Sequence, residues 1–422
     1  MLNLSKLTEM NHWWKLGKVK NEFALPYERK LFREVLKHLN LRQIVGLAGL
    51  RRVGKTTMMY QVINHLIKDR ENPLNILYFS FDESNVEINE IIKVYEEEVL
   101  KNEIADKERY FMFFDEIQKL GDWQNKIKLL YDMHPNIKIF ISGSASVNIL
   151  LPAKESLAGR VFFFDLDLLS FEEFLELRGK DMEKIRKNPN LWERELRIEF
   201  NNYMLRPFPE IVSAPEELAR KYLKETVIER VILKDLTSLF AVRELEALEK
   251  IVSVIASQPG LIINLDDMSK DFGISRQVLS NYLYYLECCL LVRRLSNLRG
   301  SFKTASRKLK KYYLSHPCFS LALSSPGKGE LAETCVAFKT KSKRYWRDGE
   351  KEIDFIVDGK SLLPVEVKYR QNIRRQDLKS LIYFMNRFRI EKALVVTDDK
   401  DCEETIEKKK VIYTPLWKFL LE

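Results

Sequence analysis

The chain has no apolar run approaching the roughly 20 residues that cross a bilayer, so no membrane-spanning helix is expected. Its first twenty residues, MLNLSKLTEMNHWWKLGKVK, lack the apolar core of a secretory signal, which points to the cytoplasm. Cysteine is scarce. Cys288, Cys289, Cys318, Cys335 and Cys402 are the only five, and no two are spaced as CxxC. That excludes a disulfide framework and a cysteine zinc site, and leaves buried thiols in a reducing compartment. Internal repeats and low-complexity tracts are also missing.

Acid is in short supply relative to base, with 61 Asp and Glu against 70 Lys and Arg, a net charge of +9. Two readings stand: a polyanionic partner, or a basic surface that is merely solvated. Position favours the first. Between Ser301 and Gly349 lie eleven basic residues, including Lys303, Arg307, Lys308, Lys310, Lys311, Lys343, Arg344 and Arg347, against Glu330, Glu333 and Asp348. A block of this kind would hold a phosphate backbone.

At 422 residues the chain is too long for one ordinary core, and two to four domains are expected. The apolar run at 43–48, QIVGLA, ends in a glycine-flanked loop, and TTMMYQVINHLIKD after it has helical periodicity. Apolar strands recur at Ile76–Phe81, Tyr110–Phe114, Ile137–Ile141 and Val161–Leu166, mostly with helical stretches between them. Alternation of this kind predicts an α/β fold with a parallel sheet covered on both faces.

Gly49-Leu50-Arg51-Arg52-Val53-Gly54-Lys55-Thr56 fits G-x4-G-K-[ST], and Thr57 follows in the helix. The glycines let the backbone N–H groups turn towards a phosphate, and the helix start adds partial positive charge. Lys55 is expected to reach the β- and γ-phosphates of ATP, and the Thr56 hydroxyl to ligate Mg2+. The strand Tyr110–Phe114 then delivers Asp115 and Glu116. Asp115 is expected to hold the metal through water, and Glu116 to orient and deprotonate the attacking water. The intervening strand Ile76–Phe81 is expected to separate the two motif strands. Ser144, with Ser142 as the alternative, is the candidate γ-phosphate sensor. Arg160 is the candidate arginine finger, in its own subunit or on a neighbour, the alternative being an arginine in a surface salt bridge.

Residues 27–240 resemble a prokaryotic, largely archaeal, AAA-type ATPase family with a GxRRVGKT loop, a DEIQ motif and an SLAGR segment. Arg51–Thr56, Asp115-Glu116-Ile117-Gln118, Ser156–Arg160 and Leu169–Leu175 match as they stand. Phe208-Pro209-Glu210 is similar to the family's GGFPE turn, with Arg206-Pro207 in place of the two glycines. The resemblance runs on to the C-terminus and so covers most of the chain. With it the chain divides into an N-terminal segment 1–26, a P-loop ATPase domain 27–170, a helical lid 171–242, a block 243–300, a basic connector 301–329 and a small α/β domain 330–422.

Within 243–300, Leu265–Phe272 and Ser275–Glu287 read as two helices around the turn Gly273-Ile274, with Ser275 as cap and Leu290–Leu295 as a wing-like strand. Ile274, Val278, Leu279, Tyr282, Leu283 and Leu286 would be buried, and Arg276, Gln277, Asn281 and Tyr285 exposed. This resembles a winged helix, which either reads DNA through its second helix or serves only to pack against protein.

In the last ninety residues, strands are expected at Ile353–Val357, Leu363–Val367 and Lys392–Val396, with Asp354 ending a strand. Glu366 and Lys368 share one strand face. With Glu333, these residues resemble a PD-(D/E)xK nuclease fold. Two converging carboxylates would bind a second Mg2+ or Mn2+, with Lys368 positioning the water. Phe384, Phe388 and Trp417 are expected in the core. Three functions follow: an ATPase driving nucleic-acid handling, an ATP-driven regulatory or assembly switch whose nuclease-like domain is an inactive adaptor, or a transcription regulator. A homo-oligomer is left open.

Overall fold

The computed structural model describes residues 2–82, 86–144, 157–240, 242–298, 309–359 and 361–421. It divides into two compact units, Met1–Leu168 and Leu169–Glu422. Among the described residues, no helix is long and apolar enough to cross a membrane.

The first unit is built on a five-stranded sheet: β1 (Ile44–Ala48), β2 (Ile76–Ser80), β3 (Tyr110–Asp115), β4 (Ile137–Gly143) and β5 (Val161–Asp165). The spatial order is β2-β3-β4-β1-β5, and every neighbouring pair is parallel. All of β1, β3 and β4 is buried, which is why these strands read as continuous apolar runs rather than alternating ones. The phosphate-loop strand β1 and the Asp115 strand β3 are separated, but not by β2 as expected. The inserted strand is β4, and β2 lies on the edge.

That edge is covered by the N-terminal segment. The Asn11 amide donates to Tyr78 O at 2.8 Å and accepts from Tyr78 N at 2.6 Å. The indole N–H groups of Trp13 and Trp14 both donate to Ile76 O, at 3.1 and 2.8 Å. Side chains thus satisfy backbone groups that an open edge would offer to another strand. The Trp13-Trp14 pair accordingly belongs to the first unit's own packing.

The second unit carries a nine-stranded sheet: β6 (Leu261–Ile263), β7 (Val292–Asn297), β8 (Lys310–Leu314), β9 (Arg344–Asp348), β10 (Lys351–Val357), β11 (Leu363–Lys368), β12 (Lys392–Thr397), β13 (Cys402–Ile406) and β14 (Lys409–Pro415). Its order is β13-β14-β12-β11-β10-β9-β7-β8-β6. The elements from helix Leu245–Ser257 to β8 run helix, strand, helix, helix, strand, strand, with β8 antiparallel to both β6 and β7. Through the parallel pairing of β7 with β9, this module continues into the C-terminal strands. The helical segment expected as a lid packs here too. Phe171, Phe174, Phe200 and Tyr203 share one core with Leu295, Ala332, Val365 and Trp417.

Several sequence expectations change. Asp354 lies inside β10 rather than at a strand end. Tyr285 is half-buried and stacks on Phe240 with ring centroids 3.9 Å apart. Ile274 and Val278 are only half-buried. Phe384 and Trp417 are core residues, whereas Phe388 is exposed. Four cysteines are buried and Cys402 is exposed.

Candidate ATP site and C-terminal carboxylate cluster

The phosphate loop follows the C-terminal end of β1, and helix Lys55–Lys68 begins immediately after it. Gly54, the residue before the helix, has φ 100°, a left-handed conformation that suits glycine. Gly49 is required for space: a Cβ there would stand 2.3 Å from Leu166 O. From outside the loop, Arg29 donates to Val53 O at 3.0 Å, Asp167 O at 2.9 Å and Leu168 O at 3.2 Å. The Lys55 side chain is buried, and its ammonium donates to Gly49 O at 3.1 Å and Leu50 O at 2.9 Å. Arg51 is half-buried, Arg52 is exposed with φ 62°, and Thr57 is half-buried in the helix.

Asp115 is the centre of the site. Thr56 Oγ1 donates to its Oδ2 at 2.6 Å, and Tyr78 OH donates to the same oxygen at 2.9 Å. Ser142 Oγ donates to Oδ1. Three hydroxyls from three elements therefore orient one carboxylate. Burial and the charge of Asp115 hold the Tyr78 phenol well above its usual range, so it stays a donor. Glu116 follows in a left-handed conformation, φ 53°, where non-glycine residues are uncommon and mark functional turns. Gln118 donates to Glu116 Oε2 at 2.6 Å and so fixes the carboxylate's direction.

Ser144 is buried just past β4, while Ser142 is committed to Asp115. Ser156 of the SLAGR segment lies outside the described residues. Arg160 is placed far from the loop. Val161, next to it, is in register with Ile44 at the start of β1, whereas the loop follows Ala48 at the other end. Four residues of strand put these ends roughly 13 Å apart. Arg160 pairs instead with Asp132, at 3.0 and 3.2 Å, and holds that carboxyl below its ordinary range. A finger acting on its own loop is not what this geometry provides.

Residues 41–175, which carry this loop and Asp115, match the model of an AAA domain. The first unit carries an AAA-type P-loop domain. Residues 198–325 and 328–419 match two families described as domains of unknown function. Over most of its length the chain is similar to the uncharacterized protein MJ1544 of Methanocaldococcus jannaschii. The two are 25% identical over 415 residues, 92% of this chain and 90% of the relative. An uncharacterized protein of Haemophilus influenzae is 23% identical over 387 residues, 88% and 93% of the two chains. Among solved structures, a Walker-type ATPase of Pyrococcus abyssi is similar at 15% identity, with a TM-score of 0.41 over 72% of this chain and 97% of that one. The AAA match and the parallel sheet give the first unit the α/β fold of a P-loop NTPase.

In the second unit, Ser275 caps helix Arg276–Cys288 by accepting from Val278 N. Arg276 and Gln277 are exposed and Asn281 half-buried. Arg276 pairs with Asp266 at 3.1 Å, and Gln277 donates to Asn281 at 2.9 Å. The basic block is less uniform than its composition suggested. Arg344 pairs with Asp358, Arg347 with Glu352 at 3.6 Å, and Lys303, Arg307 and Lys308 lie outside the described residues.

The four C-terminal candidates do converge. Asp354 Oδ2 accepts from Val367 N at 2.9 Å, Glu366 Oε2 accepts from Asp354 N at 3.4 Å, and Lys368 donates to Glu366 Oε1 at 2.5 Å. Glu333 enters from helix Lys328–Thr340 and accepts from Tyr313 OH at 2.7 Å. Burial, reinforced by Asp354, raises the carboxyls of both Glu333 and Glu366 above their ordinary range. Sequence reasoning missed Glu352 and Lys311. Lys311, counted with the basic surface, is buried on β8 with its ammonium 2.7 Å from Glu352, 3.4 Å from Asp354 and 3.7 Å from Glu333. Burial opposes its charge, yet Tyr313 and these carboxylates hold it well above the ordinary lysine range. Among the described residues, no group of three or more His, Cys, Asp or Glu side chains is arranged to hold a metal ion. Lys311 thus sets an ammonium among the carboxylates expected to hold the second Mg2+ or Mn2+.

Proposed function

We propose that the protein is a Mg2+-dependent ATPase that couples ATP binding and hydrolysis to the handling of nucleic acid by its second unit. The observation that carries the ATPase reading is Asp115 bonded to the hydroxyls of both Thr56 and Ser142 at the end of the phosphate loop. The oxygen set of Thr56 and Asp115 suits Mg2+, a hard cation that takes oxygen ligands. Bound there, Mg2+ would neutralise charge on the phosphate oxygens. Lys55 and the loop amides would bind the triphosphate. Glu116, held by Gln118, would orient the attacking water and take its proton. Ser144 would sense the γ-phosphate, and any stabilising role of Arg160 would be exerted on a neighbouring copy in a homo-oligomer.

The nucleic-acid reading draws support from the helix–strand–helix–helix–strand–strand order, which is that of a winged helix, and from exposed Arg276 and Gln277 on its capped second helix. The net charge of +9 agrees with it. The C-terminal strands, with Asp354, Glu366 and Lys368, fit a nuclease-like fold used for binding. Lys55→Ala should abolish tight ATP binding in equilibrium titration, and unchanged binding would reject the site.

A second reading is an ATP-driven switch that acts on assembly or a protein partner through an inert C-terminal adaptor. Lys311 among the carboxylates favours it. ATP hydrolysis indifferent to both DNA and RNA would select it.

A further inference from the structure

The C-terminal cluster contains four carboxylates: Glu333, Glu352, Asp354 and Glu366. The bases paired with them are three: Lys311, Lys368 and Arg347. The carboxyl groups thus outnumber the bases. Carboxylates this close destabilise one another unless a cation lies between them. Lys311 lies there: its side chain is 6% exposed, and its ammonium is within 4 Å of three of the four carboxylates.

The other donors are also supplied by the chain. Val367 N–H bonds Asp354, Tyr313 OH bonds Glu333, and Lys368 bonds Glu366. The rings of Tyr313 and Tyr345 lie 5.9 Å from the Lys311 ammonium, an added attraction for a cation and a restraint on its position. Lys311 also comes from β8, outside the β9–β14 strands that carry the acids on β10 and β11. The cluster therefore ties the middle module to the C-terminal one.

We infer that Lys311 is the resident cation of this cluster, that it stands where a divalent metal would otherwise bind, and that the domain as built holds no catalytic metal and does not cleave phosphodiesters. Without the Lys311 ammonium, Glu333, Glu352 and Asp354 would surround a position with no cation of the chain in it, and a divalent ion would take that place. The inference is independent of ATP hydrolysis, so its failure leaves the ATPase reading untouched.

The test is Mn2+ titration of the full chain without nucleotide, read as loss of the free Mn2+ paramagnetic signal. Wild type and Asp354→Asn should give the same isotherm. Lys311→Met, neutral and of similar length, should gain one Mn2+ site, and the Lys311→Met/Asp354→Asn double variant should lose it. Lys311→Arg, which keeps the charge, should behave as wild type. In thermal melts, Mn2+ should raise the melting temperature of Lys311→Met and leave that of wild type unchanged. If Lys311→Met folds only when Mn2+ is added, the resident-cation role is supported directly. A Mn2+ site in wild type that Asp354→Asn removes would overturn the inference. So would a folded Lys311→Met that binds no more Mn2+ than wild type, or one that fails to fold with and without Mn2+.

Discussion

Thr56 and Asp115, 59 residues apart in the chain, are joined by a 2.6 Å hydrogen bond at the floor of the phosphate loop. The bond ties the start of a helix to the end of a strand two places away in the sheet. It brings the two oxygen donors of the candidate Mg2+ site together. Thr56→Val and Asp115→Asn should each lower Mg2+-dependent ATP hydrolysis by about 100-fold, the equivalent of roughly 2.7 kcal/mol. Steady-state phosphate release measures this, and near-normal rates in either variant would remove the metal assignment.

Glu116→Gln should still bind ATP but turn it over at least about 100-fold more slowly, the usual worth of a positioned base. Gln118→Ala should bind ATP normally and show a smaller fall, because Gln118 only aims the Glu116 carboxylate. Equilibrium binding beside single-turnover hydrolysis separates the two effects. Normal turnover by Glu116→Gln would rule it out as the base.

Gly49→Ala should lower the stability of the first unit by about 1–3 kcal/mol, since its Cβ meets the backbone oxygen of Leu166 at 2.3 Å and backbone cannot step aside cheaply. Thermal melts followed by circular dichroism test this. An unchanged melting temperature would mean that the close approach is relieved at little cost.

His316 is fully buried against Tyr203 and Phe338, and its Nδ1 accepts from Cys318 N–H at 3.2 Å, capping helix Pro317–Leu323. Burial, with a lesser contribution from Arg293, depresses it to about 3. A folded value below the unfolded one means that the unfolded chain binds the extra proton as pH falls. Stability from this residue is therefore complete above pH ~6.5 and declines as the pH drops towards 3. At pH 5 the loss is about 2 kcal/mol, from 1.5 units at 1.36 kcal/mol each. His316→Asn keeps a capping acceptor and should show a correspondingly smaller loss between pH 7 and pH 5 in urea melts. Equal losses in the two proteins would contradict the assignment. The comparison cancels the opposite trend expected from Glu333 and Glu366, whose raised values make the fold lose stability as pH rises.

The phosphate loop was legible because everything it needs is contiguous: a strand, two glycines, Lys55 and Thr56, and a helix start. Asp115 and Glu116 were legible for the same reason, at the end of an unbroken apolar strand. What failed to show was set by strand order and burial. The placement of Arg160 depends on which end of β5 meets the start of β1, and no local pattern encodes that. Lys311 counted as a surface charge because composition does not reveal that β8 turns it inward on three carboxylates. Tyr78 carried no signal until the pairing of β2 with β3 brought it to Asp115. The short, charged β13 (Cys402–Ile406) has too little apolar alternation to be read as a strand at all.

The most direct test of the central claim is steady-state ATP hydrolysis by the full chain with Mg2+, alone and with single-stranded DNA, double-stranded DNA or RNA. A Lys55→Ala control sets the background. The account predicts Mg2+-dependent hydrolysis that Lys55→Ala abolishes and that at least one nucleic acid raises several-fold, with the stimulation reduced in Arg276→Glu. Hydrolysis equal in wild type and Lys55→Ala, or a rate that no nucleic acid alters, would contradict it.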